Sequence, residues 1–271
     1  DLHKAIRRQR QMCIRDSVDA RIPVSSRNPE LDLIIKKKPR IILLNKCDVA
    51  DSQATSMWLK YFRDKGFYAA AVDCRTGKGL NSFESLVKQA LKSVIERNDA
   101  KGMSGKPLRL MVVGIPNTGK SSFINRMGKN AKAKVADKAG VTRQNQWFVV
   151  GNGIELLDTP GVLWPKFDDP EVGDKLAFIG SVKDEVTDKE TLACRLLESL
   201  AATRPQAIED RYKISGISGL QGWEILEMIG KKRGFLIKGG EIDYERAAVI
   251  VADEFRGGKL GRITLELPID E

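Results

Sequence analysis

The chain has 271 residues, 42% of them hydrophobic and 30% charged, enough for one full α/β domain and a smaller second one. No apolar run nears the roughly 18 residues of a membrane span, and the four cysteines (Cys13, Cys47, Cys74, Cys194) form no C-x-x-C pair for zinc. His3 as the one histidine argues against a His-rich metal centre or a Ser-His-Asp triad, while a net charge of +10 points to a polyanionic partner, nucleic acid above all.

Taken in chain order, Arg40–Leu44 reads as a short buried parallel strand ending at Asn45. Asp51 or Ser52 caps a helix reaching Lys65, and Gly66 stands where a left-handed stop is wanted. Tyr68–Val72 is the next strand, and Asn81 with Glu84 predicts the start of a helix running to Arg97. The polar stretch Asn98–Lys106 reads as a linker. Leu108–Val113 is a strand and a helix follows from Lys120; Gln146–Val150 and Ile154–Leu157 form a hairpin across Gly151-Asn152-Gly153. Alternating strands and helices predict a mostly parallel sheet covered on both faces. Beyond Asp174 the pattern turns helical, over 188–202, 221–232 and 243–255, with a short strand at Ile263–Leu267.

Gly114-Ile115-Pro116-Asn117-Thr118-Gly119-Lys120-Ser121 has the form G-x-x-x-x-G-K-S, followed by Ser122. Its glycines let backbone N–H groups wrap phosphates, Lys120 reaches the β and γ oxygens, and Ser121 offers a hydroxyl to Mg2+. Asn45-Lys46-Cys47-Asp48 ends a strand, where ligands bind in open α/β sheets. A carboxylate at Asp48 accepts two hydrogen bonds from guanine that adenine cannot offer, which selects GTP and GDP over adenine nucleotides. In Asp158-Thr159-Pro160-Gly161, Asp158 can hold Mg2+ through water and the Gly161 amide can sense a γ-phosphate. Thr142 is the candidate switch threonine closing over Mg2+. Val72-Asp73-Cys74-Arg75 places amides, that of Cys74 included, where guanine O6 would lie. The base-reading motif precedes the phosphate loop, so the motif order is circularly permuted.

With these motifs the chain resembles the ribosome biogenesis GTPase A family, also called YlqF. Further pieces carry the resemblance: Asp19-Ala20-Arg21-Ile22-Pro23, Ser25-Ser26-Arg27-Asn28-Pro29, Val162-Leu163-Trp164-Pro165, Ile242–Ala248 and Phe255–Arg262. It implies an α/β fold in which a circularly permuted P-loop GTPase domain (residues 1–175) precedes a small helical C-terminal domain (176–271). It also implies a cytoplasmic, Mg2+-dependent GTPase acting as a monomer in late assembly of the large ribosomal subunit, with ribosomal RNA as a contact. The alternative is a GTP-gated binder with negligible hydrolysis. Asn117 matches the asparagine that helps related GTPases hold K+ beside the phosphates. Val162 stands where many GTPases keep a water-orienting glutamine, so slow intrinsic turnover, stimulated by K+ and by the ribosome, is the expectation.

The departure from the family lies at residues 1–18. The family begins with an aromatic-Pro-Gly-His segment whose histidine would fall near Asp1, and His3 reads as a surface residue. Arg7–Ser17 stands where an amphipathic helix and an apolar strand belong. Arg7, Arg8, Arg10, Arg15 and Asp16 cannot fill a central strand without unpaired charge, so the stretch reads as foreign to the domain.

The charge is uneven, with 32 Lys and Arg against 19 Asp and Glu in residues 1–175, and 14 against 17 in 176–271. Lys129, Lys132, Lys134, Lys138 and Arg143 crowd the switch loop and are the favoured phosphate contacts. Lys36-Lys37-Lys38, Lys231-Lys232-Arg233 and Arg256, Lys259 and Arg262 form further basic groups.

Overall fold

The computed structural model describes residues 13–35, 38–128, 146–151, 153–161, 163, 169–182 and 188–268. The chain divides into two compact units, Asp1–Lys166 with Thr264–Glu271, and Phe167–Ile263. The division therefore falls nine residues before the predicted one, and the chain returns to its first unit after completing the second. The helix Pro170–Phe178 sets that boundary, since its Leu176, Ala177 and Phe178 are buried in the second unit.

The first unit holds a six-stranded sheet in the order β3-β2-β1-β4-β6-β5. Its strands are β1 (Cys13–Asp19), β2 (Arg40–Asn45), β3 (Tyr68–Ala71), β4 (Leu108–Val113), β5 (Gln146–Val150) and β6 (Ile154–Asp158). All neighbours pair parallel except β5 with β6, which form the expected hairpin. Alternation along β2 explains why it is apolar throughout: Ile41 and Leu43 enter one core layer with Leu110, Val112, Phe83 and Phe123. Ile42 and Leu44 enter the opposite layer with Trp58, Phe62 and Val18.

Helix α1 (Glu30–Ile35) follows β1, and α2 (Ser52–Asp64) follows β2, with the Asp51 carboxylate accepting from the Ala54 amide and Gly66 at φ 83° beyond its end. The predicted helix from Asn81 to Arg97 is instead a 3-10 turn at Leu80–Ser82 followed by α3 (Phe83–Ala90) and α4 (Lys92–Asp99). The Asn81–Glu84 box does not form; Ser82 occupies the cap position of α3 without a capping bond, its hydroxyl donating instead to Gly79 O at 2.9 Å. The break between α3 and α4 falls at Leu91, which leaves helical geometry (ψ 15°) and is buried in the core. Helix α5 (Lys120–Met127) runs from the phosphate loop.

The charged stretch nevertheless forms the central strand β1, and it carries the unpaired charge that its sequence predicts. Cys13–Asp19 forms a full central strand with all seven residues buried. The β2 and β4 ladders on either side secure its backbone and place it whatever its side chains. The side chains bear the cost. Arg15 lies 3.6 Å over the Phe123 ring; its Nη2 donates to Ser17 Oγ at 3.5 Å, while Nε and Nη1 have no hydrogen-bond acceptor. Burial pulls the Arg15 guanidinium down to about 10. On the other face, Asp16 meets Arg40 at 3.6 Å and Arg27 at 3.7 Å, longer than hydrogen bonds.

The predicted final strand is also replaced. Residues 264–268 form an irregular strap whose bonds go to loops and side chains rather than to a ladder. The Leu265 amide donates to Arg21 O at 2.8 Å, the Asp51 amide to Thr264 Oγ1 at 3.0 Å, and Trp58 Nε1 to Glu266 O at 2.8 Å. The buried Glu266 carboxylate accepts from the Val24 amide at 2.7 Å, the Ser25 amide at 3.2 Å and the Ser25 hydroxyl.

The second unit is helical: α6 (Pro170–Phe178), α7 (Lys189–Thr203), α8 (Pro205–Tyr212), α9 (Gly222–Arg233) and α10 (Tyr244–Arg256). Leu192, Leu196, Leu197 and Leu200 of α7 are buried, as are Ile225 and Ile229 of α9 and Val251 and Phe255 of α10. Gly222 lets α9 start against α7, because a Cβ there would lie 2.2 Å from Cys194 O.

Replacing Arg15 by Leu should raise stability by about 1–3 kcal/mol, since it removes a buried charge with unmet donors; denaturant unfolding checks this. Glu266→Ala should lose about 1–3 kcal/mol in the same assay by orphaning the Val24 and Ser25 amides.

Candidate nucleotide site

The ends of β2, β4 and β6 carry the three motifs, and the local sequence explains how each loop leaves its strand. Gly114 takes φ 143°, and a Cβ there would lie 2.5 Å from Ser17 O, so only glycine lets the phosphate loop pass this close to β1. Asn117 adopts φ 60°, a left-handed geometry that asparagine tolerates better than most residues. Thr118 is buried and turns its hydroxyl inward to Ile115 O at 3.0 Å. Ser122, partly buried, follows Ser121 on α5.

Lys120 is buried at the start of α5, and its Nζ donates to Ile115 O at 2.7 Å inside the loop. Burial lowers its pKa to about 8; Asp158 opposes that shift and Arg15 adds to it. The ammonium therefore rests on a backbone carbonyl within the loop. Ser121 Oγ lies 3.4 Å from Asp158 Oδ2. Thr159 Oγ1 donates to Val112 O at 2.6 Å, which pins the D-T-P-G turn to β4. Gly161 lies against the phosphate loop, since a Cβ on it would be 2.7 Å from Pro116 N and 2.9 Å from Lys120 Nζ.

Asn45 joins the parts. Its Nδ2 donates to Thr118 O at 2.7 Å and its Oδ1 accepts from the Cys74 amide at 3.2 Å. The base-reading turn, the base-backing loop and the phosphate loop thus meet at one side chain. The Cys74 amide, predicted to face guanine O6, is committed to Asn45 in this geometry, and the Arg75 amide is committed to Asp73 Oδ1 at 2.8 Å. Lys46 takes φ 60° and places Nζ 3.2 Å from Asp19 Oδ2. Burial alone would raise the Asp19 carboxyl, yet Arg21 and Lys46 hold it well below the usual carboxylate range. Arg21 bonds it through Nε at 2.9 Å, Nη2 at 2.8 Å and its backbone amide at 3.0 Å. Asp48 Oδ2 accepts from Arg75 Nη2 at 2.9 Å.

Several of these roles escape a reading of the motifs. Ser17 Oγ donates to Thr118 O at 3.0 Å, and Asp19 and Arg21 form the post on which Lys46 leans. The D-x-R spacing of Asp19 and Arg21 beyond a strand was the available signal. Thr142, Val162, His3 and the basic switch-loop residues from Lys129 to Arg143 lie outside the described residues.

A family model described as a 50S ribosome-binding GTPase matches residues 109–211, which contain the phosphate loop and Asp158–Gly161 but not the permuted Asn45–Asp48. Ribosome biogenesis GTPase A of Priestia megaterium is 46% identical over 93% of this chain and 87% of its own length. The chain belongs to the ribosome biogenesis GTPase A family. Its relative in Bacillus cereus is 43% identical over 93% of this chain and 84% of its own. Among solved structures, a GDP-bound YlqF superposes with TM-score 0.71 at 29% identity, covering all of both chains. A GNP-bound YlqF from T. maritima gives 0.65 at 29% identity, over 99% of this chain and 98% of the other. These matches confirm the permuted GTPase fold with its helical second unit.

The pH dependence of nucleotide affinity follows from Lys120. Below about pH 8 it is already charged, and above that pH each bound phosphate chain must recruit a proton to it. GDP affinity should be flat up to about pH 8 and fall up to about tenfold over the next pH unit. Arg15→Leu should move that fall to higher pH; fluorescence titration of a labelled GDP reads both.

Proposed function

We propose that this chain hydrolyses GTP to time its part in assembling the large ribosomal subunit, binding the precursor and its ribosomal RNA in the GTP state and leaving after hydrolysis. The observation that carries the reading is the convergence, through Asn45, of a base-reading carboxylate loop with a lysine-bearing phosphate loop. The ribosome biogenesis GTPase A relatives and the GDP-bound and GNP-bound YlqF structures support it. The formal charge of +10 suits a polyanionic partner.

In this reading the phosphate-loop amides and the N-terminus of α5 hold the phosphates, and Lys120 shifts from Ile115 O onto them. Asp48 selects guanine. The Gly161 amide, already against the loop, registers the γ-phosphate. Mg2+ would rest on Ser121 and Asp158, hard oxygen donors 3.4 Å apart, with Thr142 as the switch ligand. Bound there it neutralises charge developing between the β and γ phosphates. K+ would rest beside Asn117. Val162 offers the attacking water no hydrogen bond, so the ribosome completes the site and intrinsic turnover is slow.

For the partner surface, Arg256 is withdrawn from the basic groups, since it donates to Ala177 O at 3.0 Å and Phe178 O at 3.1 Å, tying α10 to α6. Lys232 at the end of α9 is exposed and remains as a phosphate contact, whereas Arg233 donates to Arg211 O at 3.1 Å and lies over the Tyr212 ring. Among the described residues no helix is long and apolar enough to cross a membrane. A monomeric cytoplasmic factor is part of the proposal.

The test is GTP turnover in potassium buffer with and without purified large subunits, beside a sodium control and Lys120→Ala. Stimulation requiring both potassium and the subunit is expected, with Lys120→Ala at least about 100-fold slower. GTP binding without turnover under any of these conditions overturns the enzymatic reading in favour of a nucleotide-gated binder.

A further inference from the structure

Asp48 forms an ion pair with a cation from a neighbouring loop. Arg75 Nη2 lies 2.9 Å from Asp48 Oδ2, with the arginine side chain 79% exposed and the carboxylate 24% exposed. The two residues come from different loops, one beyond β2 and one beyond β3.

The root of Arg75 is fixed. Asp73 is buried, and its carboxylate accepts from the Arg75 amide at 2.8 Å, the Thr76 amide at 3.3 Å and the Thr76 hydroxyl at 2.5 Å. Its carbonyl accepts from the Gly77 amide at 2.8 Å, and Arg126 Nη2 donates to Thr76 O at 2.6 Å from α5. A well-bonded turn therefore carries the exposed guanidinium that meets Asp48.

The chemistry of the two candidate occupants of Asp48 is alike. Guanine presents N1–H and its 2-amino group as a planar pair of donors on an N–C–N unit, the same edge a guanidinium presents. Both seek the same carboxylate, and Asp48 cannot serve both fully. We propose that Arg75 is an internal competitor for the base-reading carboxylate, occupying Asp48 when the site is empty and yielding it only to a base that offers a matching pair of donors. Arg75 thus sets the rate at which guanine nucleotides enter. The proposal rests on the reading of Asp48 as the guanine-selecting residue.

The size of the effect is bounded by the exposure of the pair. A solvent-exposed ion pair changes an equilibrium by at most about fivefold, and salt weakens it. The experiment measures association and dissociation of a fluorescent GDP by stopped flow for the intact chain, Arg75→Ala, Arg75→Lys and Asp48→Asn, at low and high salt. Arg75→Ala should associate about two- to fivefold faster at low salt, with the difference closing at high salt and Arg75→Lys in between. Asp48→Asn should weaken GDP binding strongly. If Asp48→Asn binds GDP as well as the intact chain, the guanine-selecting role itself falls. If Asp48→Asn binds poorly yet Arg75→Ala associates at an unchanged or slower rate, Arg75 is no competitor and only this proposal falls.

Discussion

The side chain of Asn45 is the constraint on which the site depends. It donates to the phosphate loop at Thr118 O and accepts from the base-backing loop at the Cys74 amide. The amide head does both at once; an ionised aspartate cannot donate to a carbonyl, and a leucine can do neither. Gly119 is bound to the same requirement, since a Cβ on it would lie 2.1 Å from Asn45 Nδ2. The permuted chain separates residues 45 and 118 in sequence, yet a hydrogen bond between strand ends needs only the fold to bring them together. Ser17 adds a second bond to the same Thr118 carbonyl, so β1 and β2 both support the loop.

Electrostatics give the ligand a structural part. Lys120 and Arg15 lie buried in the same half of the sheet, with Asp158 as a counter-charge to both. An oligophosphate brings the negative charge this region lacks, so binding and stability are coupled more tightly here than in a site whose cations are already matched.

What the sequence made legible was local. The apolar run of β2, the Asp51 cap and Gly66 act within a few residues, and each landed as expected. So did the hairpin of β5 and β6 and the longer helices of the second unit. The failures were long-range. Strand β1 forms because two neighbouring strands hold its backbone, a tertiary demand that overrides its charged side chains. The bond between residues 48 and 75, and the hold of Asp19 on Lys46, likewise link loops that no spacing rule joins. Helices α6 and α8 were missed although each opens with a proline at its first turn, and α6 has Asp169 as its cap.

The strap of residues 264–268 has a consequence for how the molecule is made. Synthesis runs from the N-terminus, and domains generally fold as they emerge. Here the helical unit, 167–263, is complete before its predecessor receives Thr264, Leu265 and Glu266. Until then the Trp58 indole and the Val24 and Ser25 amides lack their acceptors. The nucleotide unit begins first and finishes last, so a nascent chain cannot hold a fully formed nucleotide domain without the helical one already attached.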